Sequence, residues 1–172
     1  MDKVQSQLIR ETILSNSAEA FSLYQKSHFG EPSGEKIQYS LPEAIFLVEK
    51  GQMEVFQKNK KISKKEILNK LVKIDKKLQV KYPVFKDLRE KGYIVKTALK
   101  FGAEFRVYEK GSKPGDKHAK WVVFTDHESN KISWHEFSAK NRIAHSTKKN
   151  LLLAIVDEEG DVTYYEVRWL KP

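Results

Sequence analysis

The chain has 172 residues, 40% hydrophobic and 32% charged, which is enough for one compact domain or two small ones. It contains no cysteine, and this excludes disulfides, thiol nucleophiles and thiolate metal sites. No apolar run approaches the roughly 20 residues that span a bilayer, and no signal peptide opens the sequence, so we expect a soluble, cytoplasmic protein without membrane contact.

The net charge of +9 is the strongest signal in the composition, because it indicates an anionic partner. Nucleic acid is the commonest partner of this kind. A lysine-rich surface that contacts only water is the alternative, and composition alone does not decide between the two.

Three Ser-x-x-Glu sequences predict helix starts, because the Ser and Glu side chains satisfy the free amides of a first helical turn. They begin at Ser40, Ser63 and Ser133. The first helix is short and ends at Gly51, and the third runs to about Ala144. The second is longer and keeps apolar residues at helical spacing.

The second helix is predicted to extend far along the chain, since its apolar spacing reaches Leu78 and the charged segment from Lys73 to Lys81 also favours a helix. A further helix is predicted from Val84 to Lys91, with Gly92 as its stop. Residues that suit chemistry appear only after this charged segment. We therefore predict an N-terminal domain over 1–80, which supports assembly, and a C-terminal domain over 81–172.

Strands are predicted where β-branched and aromatic residues cluster between these helices. The predicted strands are Met53 to Gln57, Tyr93 to Ala98, Glu104 to Tyr108, Trp121 to Thr125, Leu151 to Val156 and Val162 to Leu170. Glu31 to Glu35 and Gly111 to Gly115 are predicted loops, and the residues before Phe21 show no clear pattern. The fold class is α+β, with two small mixed α/β domains, the second a mixed, nuclease-like sheet flanked by helices.

The familiar catalytic motifs are absent from the sequence. It has no phosphate-binding G-x-x-x-x-G-K-[ST] loop, no G-x-G-x-x-G, no H-E-x-x-H and no G-x-S-x-G. The acidic-x-Lys pattern of metal-dependent nucleases occurs only at Asp75 to Lys77, in a charged segment that is typical of a solvated face. Five histidines without an i, i+4 pair argue against zinc, so neither a metal nor another cofactor is predicted.

Tyr108, His118 and Lys149 are the candidates for chemistry, because each lies at the end of a predicted element. The Tyr108 hydroxyl is expected to project from a strand edge. His118 follows a loop with Gly and Pro, and Lys149 precedes a strand. Each also has a structural interpretation: packing for the tyrosine, solvation for the histidine, and simple phosphate or water contact for the lysine.

A resemblance to a known family covers these three residues. The run Lys100-Phe-Gly-Ala-Glu-Phe-Arg-Val-Tyr-Glu-Lys-Gly111 resembles the archaeal tRNA-splicing endonucleases. So do Tyr82 to Lys96, Pro114 to His118, Arg142 to Lys149 and Leu151 to Asp157, in that family's order and approximate spacing. The match spans essentially all of Tyr82 to Pro172, and before Pro83 it is confined to the Ser40 to Gly51 helix and the following strand.

The resemblance implies a catalytic subunit that cleaves RNA without a metal. The 2′-hydroxyl of the RNA would attack the adjacent phosphate, leaving a 2′,3′-cyclic phosphate and a 5′-hydroxyl. Tyr108 would be the general base, His118 the general acid, and Lys149 the cation beside the pentacoordinate phosphorus. The substrate would be precursor tRNA with a bulge-helix-bulge, and four units, identical or paired with a structural subunit, would form the working particle.

The resemblance also implies residues that hold the RNA and the partner subunit. Arg142 would stack on a flipped bulge base, with Arg168 or Trp169 on its other face. Lys148 would contact phosphate, although the family commonly has Arg there and the change loses a bidentate donor. Asp157, Glu158, Glu159 and Asp161 would dock into a basic cleft of another subunit, and the alternative for them is an ordinary hairpin turn.

Two other functions remain open at this point. The first is a non-catalytic, RNA-binding structural subunit of the same endonuclease, although retention of all three catalytic residues argues against it. The second is an unrelated basic binding protein, which the continuous match over the C-terminal half argues against.

Overall fold

The computed structural model describes residues 2–172 and divides them into two compact units, with the boundary between Gln79 and Val80. Each unit contains a mixed sheet with helices, so the predicted α+β class is confirmed. None of the helices within the described residues is long and apolar enough to cross a membrane.

The N-terminal unit is built on a six-stranded sheet with the order β3-β4-β2-β1-β5-β6. The strands are β1 (Val4–Ile9), β2 (Thr12–Ser15), β3 (Glu31–Ser33), β4 (Lys36–Tyr39), β5 (Met53–Gln57) and β6 (Lys60–Lys61). Three helices accompany them: α1 (Ala18–Ser27), α2 (Leu41–Glu49) and α3 (Lys64–Ile74). β1 and β5 are parallel and the other pairs are antiparallel.

The loop predicted from Glu31 to Glu35 is wrong, because this segment forms strand β3 and the turn into β4. Gly34 occupies the turn with φ +59, a conformation that glycine adopts without steric cost. Pro32 lies in the edge strand β3, where a missing amide does not interrupt the sheet. The sequence pattern therefore located the turn but missed the short strands around it.

All three predicted capping boxes are present, at the starts of α2, α3 and the later helix α5 (Trp134–Ser146). The prediction of one helix continuing through Lys81 is wrong. Helix α3 ends at Asp75, whose backbone is extended (φ −128, ψ 102) and whose carboxylate accepts a hydrogen bond from the Lys77 amide at 2.9 Å. An aspartate that binds its own following backbone competes with the helix, and this interrupts the run.

The next helix, α4 (Leu78–Glu90), starts six residues before the predicted Val84. Pro83 lies within the first two turns of α4. Leu78, assigned from its spacing to the preceding helix, is buried at the start of this one. Apolar spacing therefore predicted correctly that Leu78 is buried, but assigned it to the wrong helix.

The C-terminal unit is a five-stranded sheet with the order β11-β10-β9-β8-β7. Its elements after α4 are β7 (Ile94–Ala98), a 3₁₀ turn (Leu99–Phe101), β8 (Ala103–Tyr108), β9 (Trp121–His127), α5 (Trp134–Ser146), β10 (Asn150–Val156) and β11 (Val162–Val167). Only β9 and β10 are parallel, and α5 crosses between them. The last strand stops at Val167 rather than at the predicted Leu170.

The two faces of this sheet are covered by different helices. On one face Ala144 of α5 packs in a cluster with Val122 and Leu151. On the other, Phe85 of α4 lies 5.9 Å from Phe105, measured between ring centroids. Two packed faces hold the strand ends of this unit in fixed positions.

Glu43→Ala is expected to lower the free energy of unfolding of the N-terminal unit by about 2–4 kcal/mol. Glu43 is 4% exposed; one carboxylate oxygen accepts the Gly30 amide at 2.9 Å and the other accepts the Ser40 amide at 2.9 Å. Alanine leaves these buried donors without an acceptor. Urea unfolding measures the loss of stability. The control is Glu66→Ala, which removes the equivalent glutamate from the exposed capping box of α3 and should cost less stability.

Candidate active site

One end of the C-terminal sheet gathers the ends of three neighbouring strands. Val107 of β8 pairs with Trp121 of β9, and the Val107 carbonyl accepts the Lys120 amide at 2.9 Å. The Lys120 carbonyl in turn accepts the Asn150 amide at 2.9 Å. Because β8 runs opposite to β9 and β10, its last residue lies beside the first residues of both.

The three predicted catalytic residues lie on these segments. Tyr108 is the last residue of β8, His118 precedes β9 by three positions, and Lys149 precedes β10 by one. Three positions that are 10 and 31 residues apart in sequence therefore reach the same end of one sheet. The strand order supplies this convergence, which no single sequence motif does.

Tyr108 is more buried than the sequence suggested. Tyr108 is only 5% exposed, so most of its side chain is packed within the unit. It pairs with Ile94 of β7 and lies on the same sheet face as Arg106, two residues earlier. Its surroundings therefore hold the phenol in place.

His118 is exposed at the end of a loop that is anchored on both sides. Before it, the Lys113 carbonyl accepts the amides of Asp116 and Lys117, each at 3.2 Å. After it, Ala119 is buried at 5% exposure. No side-chain hydrogen bond involves His118 within residues 2–172, so its imidazole is available to a ligand.

Lys149 is held by two contacts at the end of α5. Its Nζ donates to the Thr147 carbonyl at 3.0 Å and lies 5.3 Å from the centroid of the Phe101 ring. Partial burial lowers the pKa of Lys149 below its ordinary value, and the positive charge of Arg106 lowers this pKa further. The side chain is therefore a positioned ammonium rather than a freely moving surface lysine.

Arg106 and Phe101 are neighbours of the candidate site that the sequence did not single out. Arg106 acts on Lys149 electrostatically, and Phe101 contacts it through the ring face. Both lie in the run that carries the family resemblance. Alternation along β8 already places Arg106 and Tyr108 on one face, so the signal for Arg106 was present in the sequence.

The residues predicted to bind RNA lie at this same end of the unit. Trp169 packs against His145 of α5 with ring centroids 4.5 Å apart and ring planes tilted by 49°. Arg142 lies one helical turn before His145, so its position on α5 is next to the Trp169 contact. Lys148 is exposed just after α5, with a left-handed backbone (φ 55).

Arg168 has an internal partner, which the sequence did not indicate. Its guanidinium binds Glu166 with N–O distances of 2.7 and 2.6 Å. The Trp121 indole also donates to Glu166 at 2.6 Å, and this bond is the main cause of the lowered pKa of Glu166. Any RNA contact by Arg168 therefore starts from a salt bridge.

The four acidic residues predicted to dock on a partner form the turn between β10 and β11. Asp157 organises it: its carboxylate accepts the amides of Glu159 and Asp161, both at 2.9 Å. Glu158 lies 4.0 Å from the imidazole of His127. Because β10 has seven residues, the turn lies about 20 Å from the Lys149 end of the same strand.

Comparisons with known proteins match both units. The model of the tRNA intron endonuclease catalytic C-terminal domain matches residues 78–164, and that of the N-terminal domain of the same enzyme matches residues 4–68. The chain belongs to the tRNA intron endonuclease family. The C-terminal match covers Tyr108, His118 and Lys149.

Whole proteins are similar over most of their length. A tRNA-splicing endonuclease of Thermococcus gammatolerans is 44% identical over 149 residues, 87% of each chain. One of Methanothermobacter thermautotrophicus is 39% identical over 171 residues, 99% of each chain. One of Nanoarchaeum equitans is 44% identical over 138 residues, 77% of this chain and 88% of its own. The similarity therefore extends across both units.

Proposed function

We propose that this chain cuts precursor tRNA at bulge-helix-bulge splice sites without a metal, leaving 2′,3′-cyclic phosphate and 5′-hydroxyl ends. Membership of the tRNA intron endonuclease family supports the coarser statement that it is a tRNA-splicing endoribonuclease. The cut site, the products and the chemistry are the proposed part. The observation that carries the proposal is the convergence of Tyr108, His118 and Lys149 at one end of the C-terminal sheet.

The proposed reaction uses the RNA's own 2′-hydroxyl as the nucleophile. Tyr108, in its phenolate form, accepts the proton of that hydroxyl as the 2′-oxygen bonds to phosphorus. The bond from phosphorus to the 5′-oxygen breaks, and His118 donates a proton to that departing oxygen. Lys149 stabilises the negative charge that accumulates on the phosphoryl oxygens between them. Within residues 2–172 no group of three His, Asp or Glu side chains is arranged to hold a metal, and each role here is filled by a side chain.

The base role of Tyr108 is the one to test first, because an unperturbed phenol has a pKa of about 10 and few molecules are ionised near neutrality. Tyr108→Phe is expected to lower the single-turnover cleavage rate about 10²-fold, the lower end for a proton-transfer group. The phenyl ring fills the same buried volume, so the variant is expected to fold like the unaltered chain and any loss of rate reflects the missing hydroxyl. A near wild-type rate would remove the base assignment and leave Tyr108 a packing residue.

The alkaline limb of the pH–rate profile tests the role of the Lys149 charge. Because this pKa is lowered, rising pH removes the ammonium earlier than for an ordinary lysine, and cleavage is expected to decline with it. Arg106→Met removes a nearby cation, raises the pKa of Lys149 and shifts this limb to higher pH. Arg106→Lys keeps the charge and should shift it little. In a Lys149→Arg variant the side chain stays charged, so adding Arg106→Met should no longer shift the alkaline limb.

The RNA is proposed to be held beside the site by Arg142, Lys148, Arg168 and Trp169. The exposed Arg142 guanidinium is assigned to stacking on a bulge base, and Lys148 to a phosphate. Trp169 packs against His145 and is still 53% exposed, so it retains surface for a base. Arg168 must exchange its Glu166 salt bridge for RNA, and it is the weaker candidate for the second stacking face.

Two symmetric cuts require two sites at a fixed separation, and one chain carries one site, so the chain is proposed to form an oligomer. By resemblance to the family, the working particle is proposed to contain four such units. They are either identical or paired with a structural subunit, and the N-terminal domain is assigned to supporting the assembly. Asp157, Glu158, Glu159 and Asp161 are proposed to dock on a basic surface of another subunit. Their turn is fully exposed apart from the half-buried Asp157, which supports a contact role.

One assay tests the proposed function: the purified chain is incubated with an intron-containing precursor tRNA in EDTA. Cleavage at both splice sites with cyclic-phosphate ends is the expected result. Cleavage that requires Mg²⁺ would contradict the metal-independent chemistry. Cleavage only after a second subunit is added identifies a heteromer, and no cleavage even then would leave a structural, RNA-binding role as the alternative.

A further inference from the structure

The positive charge of this protein is concentrated in one segment of the N-terminal unit. Residues 58–77 contain nine lysines and only two acidic residues, Glu66 and Asp75, so this segment carries +7 of the chain's net charge of +9. It comprises the β5–β6 turn, β6, α3 and the break after α3. The candidate active site uses none of these residues.

Five of the nine lysines point into solvent. Lys58, Lys60, Lys65, Lys73 and Lys76 are exposed, and none of them takes part in a salt bridge within the described part of the chain. Lys61 and Lys64 do form salt bridges, with Glu54 at 2.7 Å and Glu49 at 3.1 Å. The surface therefore keeps an unneutralised positive field, which costs stability through self-repulsion.

Lysine positions along α3 form a regular row. Lys65 and Lys73 are eight residues apart and share one face of the helix with Asn69, while Ile67 and Leu71 are buried on the other. The helix has 11 residues and is about 16 Å long, so this row has the length of several nucleotides. No arginine occurs in the segment, and lysines bind phosphate as point charges without reading bases.

The β5–β6 turn shows a local conflict that folding does not explain. Its two central residues, Lys58 (φ 51) and Asn59 (φ 62), both have positive φ, as a two-residue hairpin turn requires. Asn, Asp or Gly suit the first of these positions, and lysine there is strained. Because the conformation disfavours lysine, we infer that its charge, rather than its conformation, is what this exposed tip uses.

From these observations we infer that Lys58, Lys60, Lys65, Lys73 and Lys76 form a binding surface for the phosphate backbone of RNA outside the cleaved bulges. These five lysines are called the basic hairpin-helix surface. The inference rests on the proposed function for the identity of the RNA. The surface belongs to the N-terminal unit and shares no residue with the candidate cleavage site.

The acidic turn of a second copy is the competing occupant, and the charges favour RNA over it. That turn has four carboxylates, fewer than the seven net charges of the segment, and spans five residues. An RNA backbone offers one phosphate per nucleotide along the whole row. Sequence-independent contacts of this kind add affinity that falls steeply with salt.

The test compares two double variants with equal charge change. Lys65→Glu with Lys73→Glu alters the basic hairpin-helix surface, and Lys26→Glu with Lys36→Glu alters exposed lysines elsewhere in the same unit. Each is titrated with full-length precursor tRNA and with a minimal bulge-helix-bulge RNA at several salt concentrations. The affinity of the surface variant for the full-length RNA is expected to fall about tenfold. Its slope of log K against log salt is expected to become shallower by roughly 2. The control variant should change neither by more than twofold.

Affinity of the surface variant for the minimal RNA is expected to change less than twofold, and an equal loss for both RNAs would overturn the placement outside the bulges. Unchanged affinity for both would show a solvated surface and overturn the inference. A smaller particle in size-exclusion chromatography would favour docking of the acidic turn and also overturn it. If the unaltered chain binds precursor tRNA but never cleaves it, the proposed function fails while the affinity comparison still decides the surface.

Lys58→Asn is a second test, and a folding defect cannot produce its expected result. Asparagine suits the left-handed backbone, so the variant is expected to melt at the same or a higher temperature than the unaltered chain. Its affinity for full-length precursor tRNA is expected to fall two- to threefold. A stable variant with unchanged affinity would remove Lys58 from the surface.

Discussion

His118→Ala is expected to lower the single-turnover rate of precursor tRNA cleavage by about 10²–10⁴-fold, because the departing 5′-oxygen then leaves without a proton donor. The affinity for RNA should stay within about twofold, since one exposed loop side chain is lost and its loop stays anchored on both sides. Quench-flow cleavage with enzyme in excess, together with filter binding in EDTA, separates the two quantities.

A modified substrate distinguishes a proton donor from a residue that only positions RNA. When the bridging 5′-oxygen at the cut site is replaced by sulfur, the leaving group is a thiolate that needs no proton. His118→Ala should then cleave within about tenfold of the unaltered chain, while Tyr108→Phe stays slow on both substrates. His127→Ala, at the other end of β9, is the control with little effect on either. A His118→Ala defect that persists with the sulfur substrate would contradict the general-acid role.

The sequence predicted best the elements whose signals are local. Each capping box is completed within four residues, and all three helices begin where the boxes at Ser40, Ser63 and Ser133 place them. It failed where two signals compete, as at Asp75, whose side chain binds the following backbone and ends a helix that apolar spacing would continue. Short strands such as β3 carry too few residues to show a period, and pairing with β4 defines them.

The candidate site follows the same division between local and long-range information. Tyr108, His118 and Lys149 were found through the family resemblance, and the pairing of β8, β9 and β10 explains how the ends of these strands meet. The burial of Tyr108 and the Glu166 partner of Arg168 depend on contacts across strands, which a linear pattern does not contain. Arg106 was missed although alternation along β8 places it on the face of Tyr108. Its effect on the pKa of Lys149 is electrostatic and corresponds to no sequence motif.

Lys149→Ala is expected to lower the single-turnover rate about 10²–10³-fold with little change in RNA affinity, because its charge is proposed to stabilise oxygens that become more negative only in the transition state. Lys149→Arg should recover part of this loss, since the guanidinium keeps the charge but spreads it over a larger, planar group. The Phe101 ring and the Thr147 carbonyl fit a compact ammonium, which limits the recovery.

Lys148→Ala is the matched control, because Lys148 is adjacent in sequence but exposed, and no side-chain contact ties it within the described residues. Loss of a phosphate contact made equally in the ground and transition states should weaken affinity a few-fold and make the slope of log K against log salt shallower by about 1. It should leave the saturated cleavage rate unchanged. The two lysines should therefore separate a catalytic charge from a binding charge. If Lys149→Ala instead lost affinity at an unchanged saturated rate, Lys149 would be a second binding lysine, and the transition-state charge would have to come from Arg106.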